Sequence, residues 1–284
     1  LKSDGTVIPG EANELSVGES GAKYVAASGQ ICAVLLYEQK EKTANIRVIL
    51  QNDKNHSYDF SSVTLSGTTG YTVVAGKKKT HFDASEKLTA QNVKEHIVVI
   101  PDSGGKIRVE SVNKQYGHPE YRGIFEIDLV DKALHIINEL PLEEYLYSVV
   151  PSEMPTEYQK EALKAQAVCA RTFAYGQMHN QAYAQYGANL DNTTAYQVYH
   201  ATTTYDVTDQ AVQDTSGMVL TYDGALTDCY YYSTSPGYSE TLEVWNADSP
   251  GYLKGENHTQ AKTKDLSNKQ AFHKFINKQV KSYD

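Results

Sequence analysis

A glutamate between two prolines is the first place in this sequence where chemistry could be held still. The run Pro151-Ser152-Glu153-Met154-Pro155 stands at the junction of two helix-like stretches. Each proline restricts the residue before it to extended geometry. Val150 and Met154 are therefore expected outside helix, with Glu153 on a stiff connector of the kind that suits a side chain whose position must be fixed. The plainer alternative is a glutamate that merely favours the positive end of the following helix. Glu157, one turn further on, sits at a first-turn position and is expected to be solvated. Residues 162–178 then read ALKAQAVCARTFAYGQM, in which Lys164 and Arg171 are the charges. They are about two turns apart and project from nearly the same face. On an otherwise small and apolar helix such charges need partners or solvent. Either they snorkel to the surface, or they line a polar cleft beside Glu153 with Gln166 nearby.

Other chemistries find less in the sequence. The nine His, at 56, 81, 96, 118, 135, 179, 200, 258 and 273, stand in no HExxH or Cys-x-x-Cys pattern, so no metal site is expected. Neither GxxxxGK[ST], GxGxxG nor a GxSxG elbow occurs. Ser233 and Ser235 fall in a Ser-Thr-Ser-Pro-Gly stretch that reads as a turn. Three cysteines cannot build a disulfide framework. Cys32, Cys169 and Cys229 are read as buried thiols, with a Cys32–Cys229 pairing left open.

The elements that would position these residues follow a strand-then-helix order. The 284 residues are 40% hydrophobic, enough for a sizeable core, and carry a net charge of −9. That charge argues against a nucleic-acid binder. Lys77 to Lys79 is read as a solvated loop, and no apolar run is long enough to span a membrane. Tyr is abundant, 22 against 6 Phe, which suits contact with sugars or peptides. Residues 1–20 read as a tether or leader. Strands are predicted at 33–37, 46–50, 71–75, 97–100, 106–112, 123–129 and 133–137. A short helix begins at Pro141, buries Leu142, Tyr145, Leu146 and Val149, and stops at Pro151. A Thr156/Gln159 capping box opens a long helix over about 157–186. A helix near 207–215 ends at Gly217, a hairpin turns at Asp223-Gly224, and a last helix carries Phe272, Phe275, Ile276 and Val280. The fold class is α+β: a β-rich core with a long buried helix and a β-rich insertion. The expected domains are 21–50 with 119–284 as the core, and 51–118 as an inserted docking region.

These residues also carry a resemblance. The run from Asn138 to Pro155 and the run from Glu161 to Thr172 closely resemble the stage II sporulation protein D and amidase-enhancer family. So do Tyr121-Arg-Gly123, Asp191-Asn-Thr-Thr194, Gln197-Val-Tyr199, the stretch 211–220, and Tyr230-Tyr-Tyr-Ser-Thr-Ser235 with Trp245. The match covers roughly 44–50 and 120–256 in the family's order. Three departures stand out: Pro236-Gly237-Tyr238 where relatives often have Gly-Gly; Tyr186, Asn192 and Gln197 where some carry a Cys/His zinc cluster; and an end at Asp284 where relatives usually continue, which suggests a fragment.

The resemblance implies a peptidoglycan lytic transglycosylase acting outside the cytoplasmic membrane, secreted or anchored at its outer face, on glycan strands stripped of stem peptides. It makes Glu153 the catalytic acid/base. Ser152, Lys164, Gln166, Arg171, Tyr231, Ser233 and Ser235 are the expected substrate contacts, and no cofactor is implied. One carboxylate suffices for such a reaction, because the sugar's own hydroxyl replaces water. Burial by Met154, Tyr158 and neighbouring tyrosines is expected to keep Glu153 protonated, with both cations reserved for the lactyl carboxylate of denuded glycan. The implied partners are peptidoglycan strands and a cell-wall amidase or other wall-remodelling protein. The rival reading is a non-catalytic glycan-binding enhancer of an amidase.

Overall fold

The computed structural model describes residues 45–52, 56–91, 93–94, 96–112, 117–201, 205–232, 237–245, 248–258 and 268–280, and the backbone of 23–27 and 30–35. The strands are β1 (Lys23–Ala27), β2 (Gln30–Leu35), β3 (Asn45–Ile49), β4 (Val63–Gly67), β5 (Tyr71–Ala75), β6 (Lys78–Phe82), β7 (Lys87–Ala90), β8 (Ile97–Pro101), β9 (Ile107–Val109), β10 (Glu120–Tyr121), β11 (Ile124–Val130) and β12 (Ala133–Pro141). Helices α1 (Leu142–Glu153) and α2 (Lys160–Met178) follow, then β13 (Leu190–Asp191), α3 (Asp206–Asp214), the hairpin β14 (Thr221–Tyr222) and β15 (Ala225–Leu226), and α4 (Lys269–Val280). The α+β expectation holds.

A seven-stranded sheet in the order β13-β3-β12-β11-β8-β5-β6 forms the platform. Its pairings are antiparallel except β13 against β3. Alternation along β3 sends Ile46, Val48 and Leu50 into one core cluster with Leu142, Tyr145, Leu146 and Val149 of α1 and Ala167, Ala170 and Ala174 of α2. The helices therefore lie against the β3–β12 part of the sheet, and the small residues of α2 permit close packing. Gly123, at φ +78°, has no room for a side chain: a Cβ there would fall 2.2 Å from the Glu139 carbonyl oxygen of the neighbouring strand.

The opposite side of β3 holds a buried charge cluster. The Arg47 guanidinium bonds both Glu126 oxygens at 3.0 and 2.7 Å, bonds Glu139, and donates to the Gly187 carbonyl at 2.6 Å. Three strands and the loop before β13 are thus joined through one side chain. Burial pushes Glu126 up, the Arg47 guanidinium pulls it down harder, and the carboxyl ends below its ordinary range.

Several boundaries differ from the sequence reading. Pro151 does not stop α1. It lies within the helix, which continues to Glu153, because a proline three residues from the end forfeits one backbone bond where the ladder is already ending. Val150 is consequently helical, while Met154 before Pro155 is extended (φ −136°, ψ 132°) as expected. The capping box at Thr156 is not used: Gln159 is the extended cap, and α2 runs over 160–178 rather than 157–186. Lys78 and Lys79 belong to the edge strand β6, where lysines discourage pairing with another chain. The 51–118 span is not set apart. Its β5, β6 and β8 complete the main sheet, and β4, β7 and β9 build a second sheet with β10 on a shared core. The residues up to Tyr230 and those from Tyr231 onward form two compact units. The leader at 1–20 lies outside the described residues.

Arg47→Ala leaves two half-buried carboxylates without their cation and should cost about 3 kcal/mol in urea unfolding; a loss under ~1 kcal/mol would show the cluster to be dispensable. Because the folded-state position of Glu126 is depressed, its contribution should be present above the ordinary carboxylate range and fall away as acid protonates it in the fold, which stability measured against pH would record.

Candidate functional site

Glu153 ends α1 with its side chain half-buried. Its Oε1 accepts the Val198 backbone N–H at 2.7 Å. The segment that offers this donor is itself held at several points. Asp191 accepts the Thr193 N–H and hydroxyl at 2.9 and 2.8 Å, an Asx-type turn. Its other oxygen accepts Tyr58 and Tyr183 hydroxyls at 2.7 and 3.1 Å. Burial and this carboxylate push both phenols up, Tyr183 to about 12. Asn192 accepts the Gln51 N–H at 2.8 Å. Gln197, fully buried, accepts the Tyr145 hydroxyl from α1 and donates to the Ala170 carbonyl of α2, both at 3.2 Å. Next along, the Tyr199 hydroxyl donates to Asn138 at 2.8 Å, and Asn138 donates to the Arg122 and Ile124 carbonyls. Burial drives the Tyr199 phenol far above its usual range. The separate blocks around 121–123, 138–155, 161–172, 191–194 and 197–199 thus converge on the end of α1.

The carbonyl end of α1 and the Val198 N–H are among the surroundings of Glu153. The carbonyl end of a helix disfavours a negative charge, and an N–H donor favours it. Met154 is half-buried, but Tyr158 is 52% exposed and does not bury the glutamate as expected. Glu157 is exposed, in line with a solvated position.

The two cations divide. Arg171 does not reach a cleft. Its side chain is 1% exposed, and it grips Glu143 of α1 through Nε and Nη2, both at 2.8 Å. It also donates to the Met218 and Val212 carbonyls, each at 3.1 Å. A guanidinium has five N–H donors; these contacts take up four, and the Thr215 hydroxyl lies 3.5 Å from Nη1, so the expected substrate contact gives way to a brace between α1, α2 and the end of α3. The expectation failed because Glu143 lies 28 residues upstream, where spacing gives no hint of a pair. Lys164 is half-buried and bonds Glu161 at 3.1 Å, a partner whose side chain is 80% exposed. Gln166 is buried, and its amide nitrogen has no hydrogen-bond partner among the described residues. The Ser152 hydroxyl donates back to the Ser148 carbonyl at 2.6 Å inside the helix, which engages its proton. Tyr231 is half-buried and belongs to the second unit. Ser233 and Ser235 lie outside the described residues.

Sequence reasoning missed Val198 as the donor to Glu153, because a backbone N–H has no residue signature. It also missed the tyrosine–Asp191 support, whose Tyr58 comes from the divergent span. Among the described residues one His/Cys/Asp/Glu group could hold a metal: His96, Glu126 and Asp128. Glu126 there is already committed to Arg47. Cys229 is buried and Cys169 half-buried; both are free thiols, and their side chains hydrogen-bond each other. The thiol that Cys229 meets is thus Cys169, and the Cys32 side chain lies outside the described residues.

The Stage II sporulation protein family model matches residues 130–222, the stretch that runs from the end of β11 through α1, α2 and α3 to β14. "Stage II sporulation protein D" of Bacillus amyloliquefaciens is 33% identical over 187 residues, covering 56% of this chain and 54% of the relative. The protein of that name in Bacillus subtilis (strain 168) is 38% identical over 133 residues, 42% of this chain and 38% of the relative. "Amidase enhancer" of the same strain is 39% identical over 116 residues, 40% of this chain and 15% of the relative. The chain spans about half the length of these relatives or less. It is an α+β protein built around a helix-end glutamate. It carries a domain of the stage II sporulation protein D and amidase-enhancer family.

Arg171→Lys keeps the charge but not the forked geometry, and should cost about 2 kcal/mol in chemical unfolding. A variant of unchanged stability that bound glycan less well would return Arg171 to the substrate instead.

Proposed function

We propose that this chain acts on the bacterial cell wall and cleaves denuded peptidoglycan glycan as a lytic transglycosylase, with Glu153 as its acid and base. The observation that carries the reading is the bond from the Val198 N–H to Glu153 Oε1, which fixes one carboxyl group at the end of α1. With Oε1 accepting that donor, a proton on this carboxyl sits on Oε2. Transfer of that proton to the glycosidic oxygen breaks its bond to C1 of the muramic acid residue. The resulting carboxylate then takes the proton of the same sugar's 6-hydroxyl as O6 bonds C1, closing a 1,6-anhydro ring. Proton and oxygen are balanced without water, so a single carboxyl serves both half-steps.

Lys164 supports the same reading. Its pairing with an exposed glutamate at i−3 is weak, so the ammonium can exchange Glu161 for the lactyl carboxylate that stem-peptide removal exposes. The unpartnered amide nitrogen of Gln166 supports a further donor on α2. Tyr231, Ser233 and Ser235 are proposed to contact the sugars further along, and Ser152 to accept through its oxygen. The names of the relatives support a wall-associated place of action outside the cytoplasmic membrane and a cell-wall amidase as partner. No described helix is long and apolar enough to cross a membrane. The second reading, a glycan-binding enhancer of an amidase, is favoured by the identity to the amidase enhancer and uses the same site without proton transfer.

Incubation with denuded glycan strands should yield 1,6-anhydromuramic ends by mass spectrometry, and Glu153→Gln should lower their rate by at least ~100-fold while binding persists. Undiminished product from the variant would remove Glu153 from the mechanism. Glycan binding without product in the parent protein would favour the enhancer. Lys164→Ala should weaken binding of denuded glycan several-fold, and binding of an analogue with its lactyl carboxylate amidated much less; equal losses on both would contradict the assigned ion pair.

A further inference from the structure

The thiols of Cys169 and Cys229 meet across a contact that no part of the proposed mechanism uses. Cys169 sits on α2, and Cys229 follows β15. Their placement rests on more than the sulfur atoms. Residues 169, 172 and 176 lie on one face of α2 at i, i+3 and i+7. On that face the Thr172 hydroxyl accepts the Leu220 N–H at 3.0 Å, and Gly176 faces the Leu226 side chain. The segment bearing Cys229 is closed back on itself by the Thr227 N–H to the Leu220 carbonyl at 3.1 Å. The hairpin and the segment after it are therefore laid along α2, which brings the Cys229 side chain into interaction with Cys169 and Thr172. The Thr227 hydroxyl lies 3.6 Å from the Cys229 sulfur.

We propose that Cys169 and Cys229 are a disulfide-forming pair, which on oxidation bonds α2 to the segment after β15 that leads into the tyrosine-rich run 230–232. The oxidant is a low-molecular-weight disulfide. The half-exposed Cys169 is the thiol it can reach. Exchange there forms a mixed disulfide and releases one thiol. The Cys229 thiolate then attacks the Cys169 sulfur, the mixed disulfide breaks, and the second external thiol leaves. Two protein thiols lose two electrons and two protons, and the external disulfide gains both. In the free pair the hydrogen bond with Cys169, together with those from Thr227 and Thr172, lowers the Cys229 thiol against burial, and the Thr227 and Thr172 bonds remain once Cys169 is held in the mixed disulfide. Cys229 is accordingly the attacking group of the second step. A covalent bond at this point would fix the hairpin against the helix that carries Lys164, Gln166 and Arg171. It also suits the oxidising space outside the cytoplasmic membrane.

The test is peptide mapping of the full chain after equilibration with oxidised and reduced glutathione, followed by alkylation of whatever thiols remain. The expected result is a Cys169–Cys229 linked peptide, a roughly tenfold fall in alkylation of both residues, and full reversal by reductant. The link should also form in a Cys32→Ser variant. Recovery of both residues as free thiols or as glutathione adducts would overturn the proposal, as would a Cys32–Cys229 link in their place. The readout does not involve glycan, so its outcome is separable from that of the cleavage assay.

Discussion

The catalytic reading of this protein depends on one hydrogen bond, from the backbone of Val198 to the carboxyl of Glu153. A glutamate side chain has three rotatable bonds and at a helix end would ordinarily sample many positions. Here a backbone donor selects one of them, and that donor is fixed in turn. Asp191 turns the chain at Thr193, two tyrosines hold Asp191, and Gln197 clamps the following residue between α1 and α2. The site is preorganised by hydrogen bonds to main chain rather than by a ring of charged side chains.

The buried cations serve that organisation. Arg47 ties β3, β11, β12 and the loop before β13 together, and the loop continues directly into Asp191. Arg171 ties the first turn of α1 to α2, to the Val212 carbonyl of α3 and to the Met218 carbonyl beyond it. Each is a guanidinium whose planar fork matches a carboxylate, the geometry in which burial of a charge is tolerated. Removing either would leave a carboxylate stranded, so these arginines support Glu153 at a distance by fixing what surrounds it.

Much of this arrangement is legible in the sequence, and the remainder has identifiable causes. The strand 71–75 is read at its true limits because Tyr-Thr-Val-Val-Ala is β-branched and bounded by glycines. The hairpin turn is read from Asp223-Gly224, both of which adopt positive φ. Strands 63–67, 78–82 and 87–90 escape notice, being short and rich in Ser, Thr and Lys; sheet pairing overrides their weak propensity. The proline pair marks Glu153, yet the same prolines mislead about α1, since the bias against helix before a proline yields at the final turn. Arg171 is recognisable as anomalous on its helix, but its partner is a tertiary fact. So is the meeting of Cys169 with Cys229, which no local spacing encodes.

The most direct measurement is a crystal structure of the Glu153→Gln variant soaked with a denuded glycan tetrasaccharide. The account predicts a glycosidic oxygen within about 3 Å of the residue-153 side chain, with a muramic lactyl carboxylate against Lys164. A sugar chain seated away from the end of α1, or one with no bridging oxygen in reach of that side chain, would contradict it.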